Sequence, residues 1–386
     1  MSDPWWQAEG DAVLSWLEAN DFAGYDPFDG LESRAFQATP LARSALARLA
    51  WLQLFKRLPI NLRPLVRVPR TVNPKALGLV LTGLARRARA RGQVERELGC
   101  RLVQRLGELR APGSAGWGYP FAWQNRAFYA PRNTPNAVCS AFVVAGLLDY
   151  ADAAGDDEAA ALAKSSLPFF LSELSRTPVS GGMCFSYTPL DHTRIHNVNL
   201  LVVATLARLV MRAGVTEGAL DVAAPALAFS LSAQRDDGSW PYGEGPAQAW
   251  VDSYHTGFNL GCLRLLEPAL SRDTARAARA AGYAYYRRAL VTADGLPKHY
   301  AGRFYPIDAH VAAQGIVTAL ENADLEPRAI PIAQDTARWA AASLGLGSGR
   351  YAYRRTRLGR IPIVYARWCQ AWMFRAFGEL EAAVTS

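Results

Sequence analysis

The sequence predicts an all-α fold, an (α/α)6 toroid: a double ring of alternating outer and inner helices, with short β-hairpins on one rim. The first observation is an internal repeat. Six strongly apolar segments start at roughly equivalent polar positions, Asn73, Asn136, Asn199, His255, His310 and Arg367, spaced 63, 63, 56, 55 and 57 residues apart. They are apolar on nearly every face, as buried helices are. Between them lie six helices with a clearer polar side, expected at 41–57, 94–109, 157–174, 220–234, 273–289 and 329–344. A helical hairpin of this kind cannot bury its apolar side alone, and closing a ring gives each one neighbours on both sides. An open solenoid is the alternative, but its common repeats are shorter, about 34 to 47 residues.

Local signals support the elements in order. Asn73-Pro74 and Thr134-Pro135 are good helix starts, because proline suits the first turn and the polar side chain before it can cap. Strand signals are short and confined to the connections, in "GWGYPFAW", "MCFSYTP" and "GRYAYR", each compatible with a small hairpin. The whole chain, 1–386, reads as one toroid domain, with 1–40 as an N-terminal arm packing on the rim.

Composition narrows the function classes. Half of the 386 residues are hydrophobic and a fifth are charged, so a large core is possible and global disorder is not expected. The start, "MSDPWWQAEGDAVLSWLEAND", lacks a basic region followed by an apolar run. The longest apolar stretches are too short or too interrupted to span a bilayer. Five cysteines without C-x-x-C spacing point to a reducing cytoplasm rather than to a disulfide framework. The formal charge of +8, mostly from arginine, favours an anionic partner; a solvated basic surface is the plainer explanation for many of those residues.

The connections are asymmetric. Those from inner to outer helices are short and plain, such as "RARARGQ" and "MRAGVTEG". Those from outer to inner helices are long and aromatic, and in a ring they all emerge on one rim. All five histidines, His192, His196, His255, His299 and His310, fall in these segments or in the first turn beyond them. Trp117, Trp123, Trp240, Trp250 and Trp368 do the same. The residue type that titrates nearest neutrality is thus gathered on one face, where helix N-termini favour an anion.

Each candidate also has a purely structural explanation. Asp252 and Asp308 stand where caps belong. Trp240 and Trp250 fit packing against the rim, and His192 fits a loop. "YDPFDGLES" carries Asp26 and Asp29, which would line the cavity mouth or dock the N-terminal arm. His255 and His310 sit just inside inner helices that point at the ring axis. Arg354, Arg355, Arg357 and Arg360, interleaved with Tyr351, Tyr353 and Tyr365, resemble an acid-binding wall.

Several motifs resemble known families. "QRDDGSWPYG" resembles the Q-x-x-D-G-x-W repeat of squalene and terpenoid cyclases. "DSYHTGFNL" resembles the zinc-histidine segment of protein prenyltransferase β subunits. "YDPFDGLES", "GYPFAWQNR", "TPN", "CFSYTPLDHTRIHNVN", "DGSW", "DSYHTGF" and "IDAH" together make the chain similar to α/α-toroid proteins encoded among bacterial exopolysaccharide-synthesis genes. That resemblance implies a role in making or modifying polysaccharide. The chain lacks the D-x-D-D and D-D-x-x-D acid motifs of the cyclases. The prenyltransferase resemblance implies a zinc set of Cys184, Asp252 and His255, but Cys184 has no aspartate two residues before it.

The leading expectation is a cytoplasmic carbohydrate-active protein, without cofactor or resident metal, that acts on an anionic glycan. Its partners would be an acidic oligo- or polysaccharide and polysaccharide-synthesis proteins, not nucleic acid. Aromatic faces suit sugars, and Asn, Gln and Arg suit hydroxyl and carboxylate groups. The expected binding set is Asp29, Tyr119, Trp123, Gln124, Arg126, Asn136, His196, Asn199, Trp240, Trp250, Tyr254, Tyr305, Arg354 and Arg367. The expected catalytic set is Asp252, His255, Asp308, His310 and Tyr187. Hydrolysis needs two carboxylates, first Asp252 and Asp308, then Asp29 and Asp237. Uronate elimination or epimerisation needs a proton-abstracting His or Tyr with arginine beside it, from His255, Tyr187, Tyr254 and Arg367. An isoprenoid-handling enzyme and a non-catalytic glycan binder stand as the other classes.

Overall fold

The computed structural model describes residues 4–126, 128–214 and 218–385. Its helices are α1 (Trp5–Ala19), α2 (Arg34–Gln37), α3 (Ala45–Arg57), α4 (Pro74–Arg91), α5 (Arg96–Glu108), α6 (Ala137–Ala154), α7 (Asp157–Lys164), α8 (His196–Ala213), α9 (Gly218–Ser232), α10 (Ser253–Leu266), α11 (Arg272–Ala289), α12 (Ala309–Glu321), α13 (Ala329–Leu344) and α14 (Trp372–Thr385). A π-helical stretch, Ala366–Ala371, leads into α14.

The inner ring closes. Helices α4, α6, α8, α10, α12 and α14 each pack on the next, and α14 packs back on α4. Outside them stand α5, α7, α9, α11 and α13. The sixth outer place, beside α14, is filled by α1, which buries Trp6, Val13, Leu14 and Leu17 there. The sequence had suggested residues 41–57 for that place. Helix α3 instead lies on the rim, against residues 29–32 and 123–124, because only Leu52 and Phe55 offer it a face to bury. The expected outer helix at 157–174 is interrupted after Lys164, before Pro168, whose ring nitrogen has no proton for the helical ladder. One short connection expected at 211–218 includes residues 215–217, which lie outside the described residues.

The inner helices enter and leave the ring by distinct chemistry. The side chains of Asn73, Asn136, Asp252 and Asp308 cap α4, α6, α10 and α12 by accepting backbone N–H bonds. At the other end α4, α6 and α8 stop on Gly92, Gly155 and Gly214 with φ of 67°, 63° and 60°, a left-handed conformation that glycine adopts without cost. The short turns after α4 and α6 send the chain straight out to the outer ring. Helix α6 is long and apolar enough by composition to cross a bilayer, yet it stands buried in the inner ring.

Small two-stranded hairpins decorate the rim at 123–130 and 176–185, and residues 307–308 join the hairpin 354–361 in a three-stranded sheet. They fall beside the strand signals in the sequence, shifted toward the inner helix at 123–130 and 354–361 and toward the preceding outer helix at 176–185. Helices α4 and α6 approach through glycine: a Cβ on Gly146 would overlap the Gly78 carbonyl oxygen. Gly146→Ala is therefore expected to cost about 1–3 kcal/mol, the usual range for overpacking. An unchanged urea midpoint would show that the helices can separate freely.

Candidate active site

The six inner helices point their N-termini at one rim and enclose a cavity there of about 200 Å³. Its floor has a simple register. The second residue after each helix's N-cap position faces it: Lys75, Val138, Asn197, Tyr254, His310 and Arg367. Phe28, Tyr119, Phe121, Trp123, Tyr187, Tyr242, Trp250, His255, Phe258 and Trp368 complete the lining. No aspartate or glutamate is among these residues.

His255 is the best-organised polar group. Its Nδ1 lies 2.9 Å from Oδ2 and 3.0 Å from Oδ1 of Asp252. The same carboxylate caps α10 by accepting the His255 backbone N–H at 2.9 Å. Asp252 is 1% exposed, so one buried carboxylate fixes both the helix start and the imidazole. An Nδ1–H held by a carboxylate leaves Nε2 as the free lone pair. Tyr242, Trp250 and Tyr254 surround the ring at centroid distances of 4.7, 5.5 and 4.2 Å.

His310 lies on the other side of Tyr254, with centroids 4.6 Å apart, and stacks on Trp372 at 4.3 Å. Neither of its ring nitrogens has a hydrogen-bond partner among the described residues. Burial, reinforced by the positive groups of Lys75 and Arg367, holds its pKa well below the ordinary 6.5. Lys75 is fully enclosed and lies over the rings of Phe142, Trp372 and Phe258 at 3.9, 5.3 and 5.6 Å. It makes no ion pair among the described residues, and burial pushes its amine well below 10.5. Arg367 is spent on Asp26 through two bonds of 2.6 and 2.8 Å, with its guanidinium over Tyr119 at 5.0 Å. Burial raises the phenols of both Tyr119 and Tyr187.

Buried histidines give a pH signature. His196, His299 and His310 are all depressed by burial. The folded chain then binds fewer protons than the unfolded one below about pH 6.5, so stability is lost as pH falls through that value. Burial raises Asp29 to about 7, which acts with the opposite sign, so the informative comparison is between two chains. His310→Phe is expected to shrink the fall in melting temperature between pH 7 and pH 5; an identical fall would mean that His310 protonates freely in the fold.

Of the residues singled out in the sequence, Tyr119, Trp123, Tyr187, Trp250, Tyr254, His255, His310, Arg367 and Trp368 line the cavity. The others have separate duties. Asp29 is paired with Arg63 at 2.6 Å, so it docks the N-terminal segment instead of lining the mouth. Asp308 caps α12 and lies 3.3 Å from Arg354, while Asn136 caps α6. Asn199 is committed to Phe185, Ala226 and Ser230, and His196 to Glu244 at 2.9 Å. Gln124 holds Arg48. Trp240 donates to the Ser230 carbonyl at 2.8 Å. Arg126 is exposed, and Tyr305 packs on Phe304. Cys184 contacts the Phe185 carbonyl, and no three metal-ligating side chains are grouped among the described residues.

The sequence reading missed Lys75, Asn197, Tyr242 and Phe258. The signal that finds the first two is the cap. Aligning the inner helices on Asn73, Asn136, Asp252 and Asp308, rather than on the polar residues inside them, brings Lys75 and His310 into register, and the same offset in α8 selects Asn197 over Asn199. A second, larger cavity of about 810 Å³ opens at the opposite end of the ring. Its charges are largely matched in pairs such as Arg86–Glu379 and Arg208–Asp149.

The closed double ring of inner and outer helices defines an α/α-toroid protein. No protein-family model matches the sequence, and no curated protein matches it. Solved structures do resemble it. One is a family 76 glycoside hydrolase, an α-mannanase of Bacteroides thetaiotaomicron, with 14% identity over 82% of this chain and 87% of that one and a TM-score of 0.61. Another is the cellobiose 2-epimerase of Bacillus thermoamylovorans, with 12% identity over 82% and 90% and a TM-score of 0.61. The Lin0763 protein of Listeria innocua covers 98% of this chain and 97% of its own at 12% identity and a TM-score of 0.59. At these identities the likeness establishes the fold.

Proposed function

We propose that the protein is a carbohydrate-active enzyme that moves a proton at a carbon beside the carbonyl of a small sugar unit, a reaction of the epimerase or isomerase type. The observation that carries this reading is His255, which lines an aromatic cavity and is oriented through Nδ1 by the buried Asp252, so that its Nε2 lone pair is left free. Hydrolysis needs two carboxyl groups flanking the scissile bond. Asp252 and Asp308 are both engaged in capping, and no carboxylate is among the lining residues. The cavity lies below the range of about 300–1,000 Å³ for drug-sized ligands, which suits one sugar unit better than a long polymer segment. Solved toroids of similar fold include both glycoside hydrolases and cellobiose 2-epimerases, and the chemistry of this cavity is nearer the second kind.

In this mechanism His255 Nε2 takes the proton from carbon, and the electron pair moves onto the carbonyl oxygen. The Lys75 amine donates a hydrogen bond to that oxyanion, and the Arg367 guanidinium adds positive field. The protonated His255 Nε2 then gives that proton back to the same carbon or to its neighbour, which regenerates the neutral imidazole, while His310, neutral beside Tyr254, is a hydrogen-bond partner for the sugar. We extend the reading to an acidic sugar from polysaccharide production. A carboxylate bound beside Lys75 would restore the charge that burial removes.

The test is proton exchange in deuterium oxide with neutral aldoses, disaccharides and uronates, followed by NMR at the carbon next to the carbonyl. Exchange with any of them supports the reading. Binding without exchange or product by any sugar would make the protein a glycan binder.

A further inference from the structure

The exposed apolar residues are not evenly spread. Leu41, Leu46, Leu54, Ile60 and Leu65, with exposures of 57, 79, 44, 67 and 79%, fall within one 25-residue stretch of the rim. Helix α3 provides its centre. Leu52 and Phe55 turn inward, while Leu46, Ala50, Leu54 and Arg57, at i, i+4, i+8 and i+11, stay exposed on the opposite face. Leu358, fully exposed, forms the tip of the hairpin 354–361 between Arg357 and Arg360.

The same surface is basic without compensation. From Ser33 to Val94 the chain has no aspartate or glutamate. Arg34, Arg43, Arg57 and Arg67 are exposed and make no ion pair among the described residues. Helix α3 is joined to the rim hairpin 123–130, since Arg48 bonds Gln124 and lies over the exposed Tyr129 at 4.6 Å.

We infer that this face is a membrane-docking surface that takes the headgroup region of an anionic phospholipid bilayer. An amphipathic helix with leucines outward and arginines beside them lies in the interface plane, with its apolar side among the upper acyl carbons. Anionic lipid attracts each nearby Lys or Arg by about 1 kcal/mol. A protein interface core, in contrast, is depleted of charge, whereas here arginines flank every exposed leucine cluster. The face borders the cavity, since Trp123 and Phe28 line it from beneath and Lys56 lies over the Phe28 ring at 4.3 Å. Docking would therefore bring the cavity mouth to the headgroups. The inference stands independently of the reaction proposed above.

The experiment is co-sedimentation of the full chain with phosphatidylcholine vesicles with and without phosphatidylglycerol, at low and high salt. Binding is expected only with phosphatidylglycerol and weaker in high salt. Arg43→Gln and Arg57→Gln should each weaken it about fivefold, the equivalent of about 1 kcal/mol per charge. Leu46→Asp with Leu54→Asp, or Leu358→Asp alone, should abolish it with an unchanged melting temperature. Equal binding to both vesicles, no binding, or binding that survives these variants would overturn the inference. Sedimentation velocity showing a dimer that the same leucine variants dissociate would also overturn it, by assigning the face to a second copy of the chain.

Discussion

His255→Ala is expected to lower proton exchange at the sugar carbon by about 10²- to 10⁴-fold, the usual contribution of a positioned general base. Asp252→Asn tests the orientation separately. An amide can also accept the α10 capping bond, but it cannot hold Nδ1–H as a carboxylate does, and a misassigned tautomer has cost a related His–Asp pair in serine proteases about 10⁴-fold in kcat. Both variants should therefore lose turnover, with the melting temperature changed less by the amide than by Asp252→Ala, which removes the cap as well. The pair also separates reaction types. Loss in Asp252→Asn with His255→Ala fully active would favour a carboxylate mechanism and sink the proton-transfer reading. Full activity in both would remove the dyad from catalysis.

The fold was more legible than the site because its signals repeat. A period near sixty residues, polar starts and long aromatic connections all point to one ring, and each inner helix supplies an independent instance. The first outer helix was misplaced for the opposite reason. Residues 41–57 have helical character, but nothing local shows that α1, with Trp6, Val13 and Leu17, buries more against α14 than α3 buries anywhere. The site residues were legible where chemistry and position coincide, as in "WVDSYHTG". They were misread where one residue type serves two duties. Asn199 and Asn197 differ by two positions on α8, about 200° around a helix: the first bonds the hairpin strand and outer helix α9, and the second faces the cavity. Lys75 was missed because a single lysine after a cap carries no pattern. Its meaning comes from Phe142, Phe258 and Trp372, which are far away in sequence.

Asp26→Ala is expected to destabilise the protein by about 3–5 kcal/mol, because it leaves Arg367 charged, buried and unpaired. The "YDPFDG" turn has the form of a cavity-mouth motif, but its carboxylates are turned into the protein. Asp26 grips Arg367 through both oxygens, the Asp26 N–H donates to Asp29 at 2.9 Å, and Arg63 closes the set by bonding Asp29 and the Asp26 carbonyl at 2.6 and 2.7 Å. Asp26 thus balances Arg367, and Arg63 joins Asp29 to the same set, which ties the N-terminal segment to the entry of the last inner helix. That tie positions a residue of the cavity floor, so activity should fall along with stability. Arg367→Met combined with Asp26→Asn removes both charges, and such apolar replacement of a buried pair is often neutral or stabilising. The double variant should then recover much of the urea midpoint lost by Asp26→Ala while staying impaired in turnover. A single variant that shifts the midpoint by less than about 1 kcal/mol, the range of exposed pairs, would show that solvent reaches this network and that Arg367 is not held in the way described.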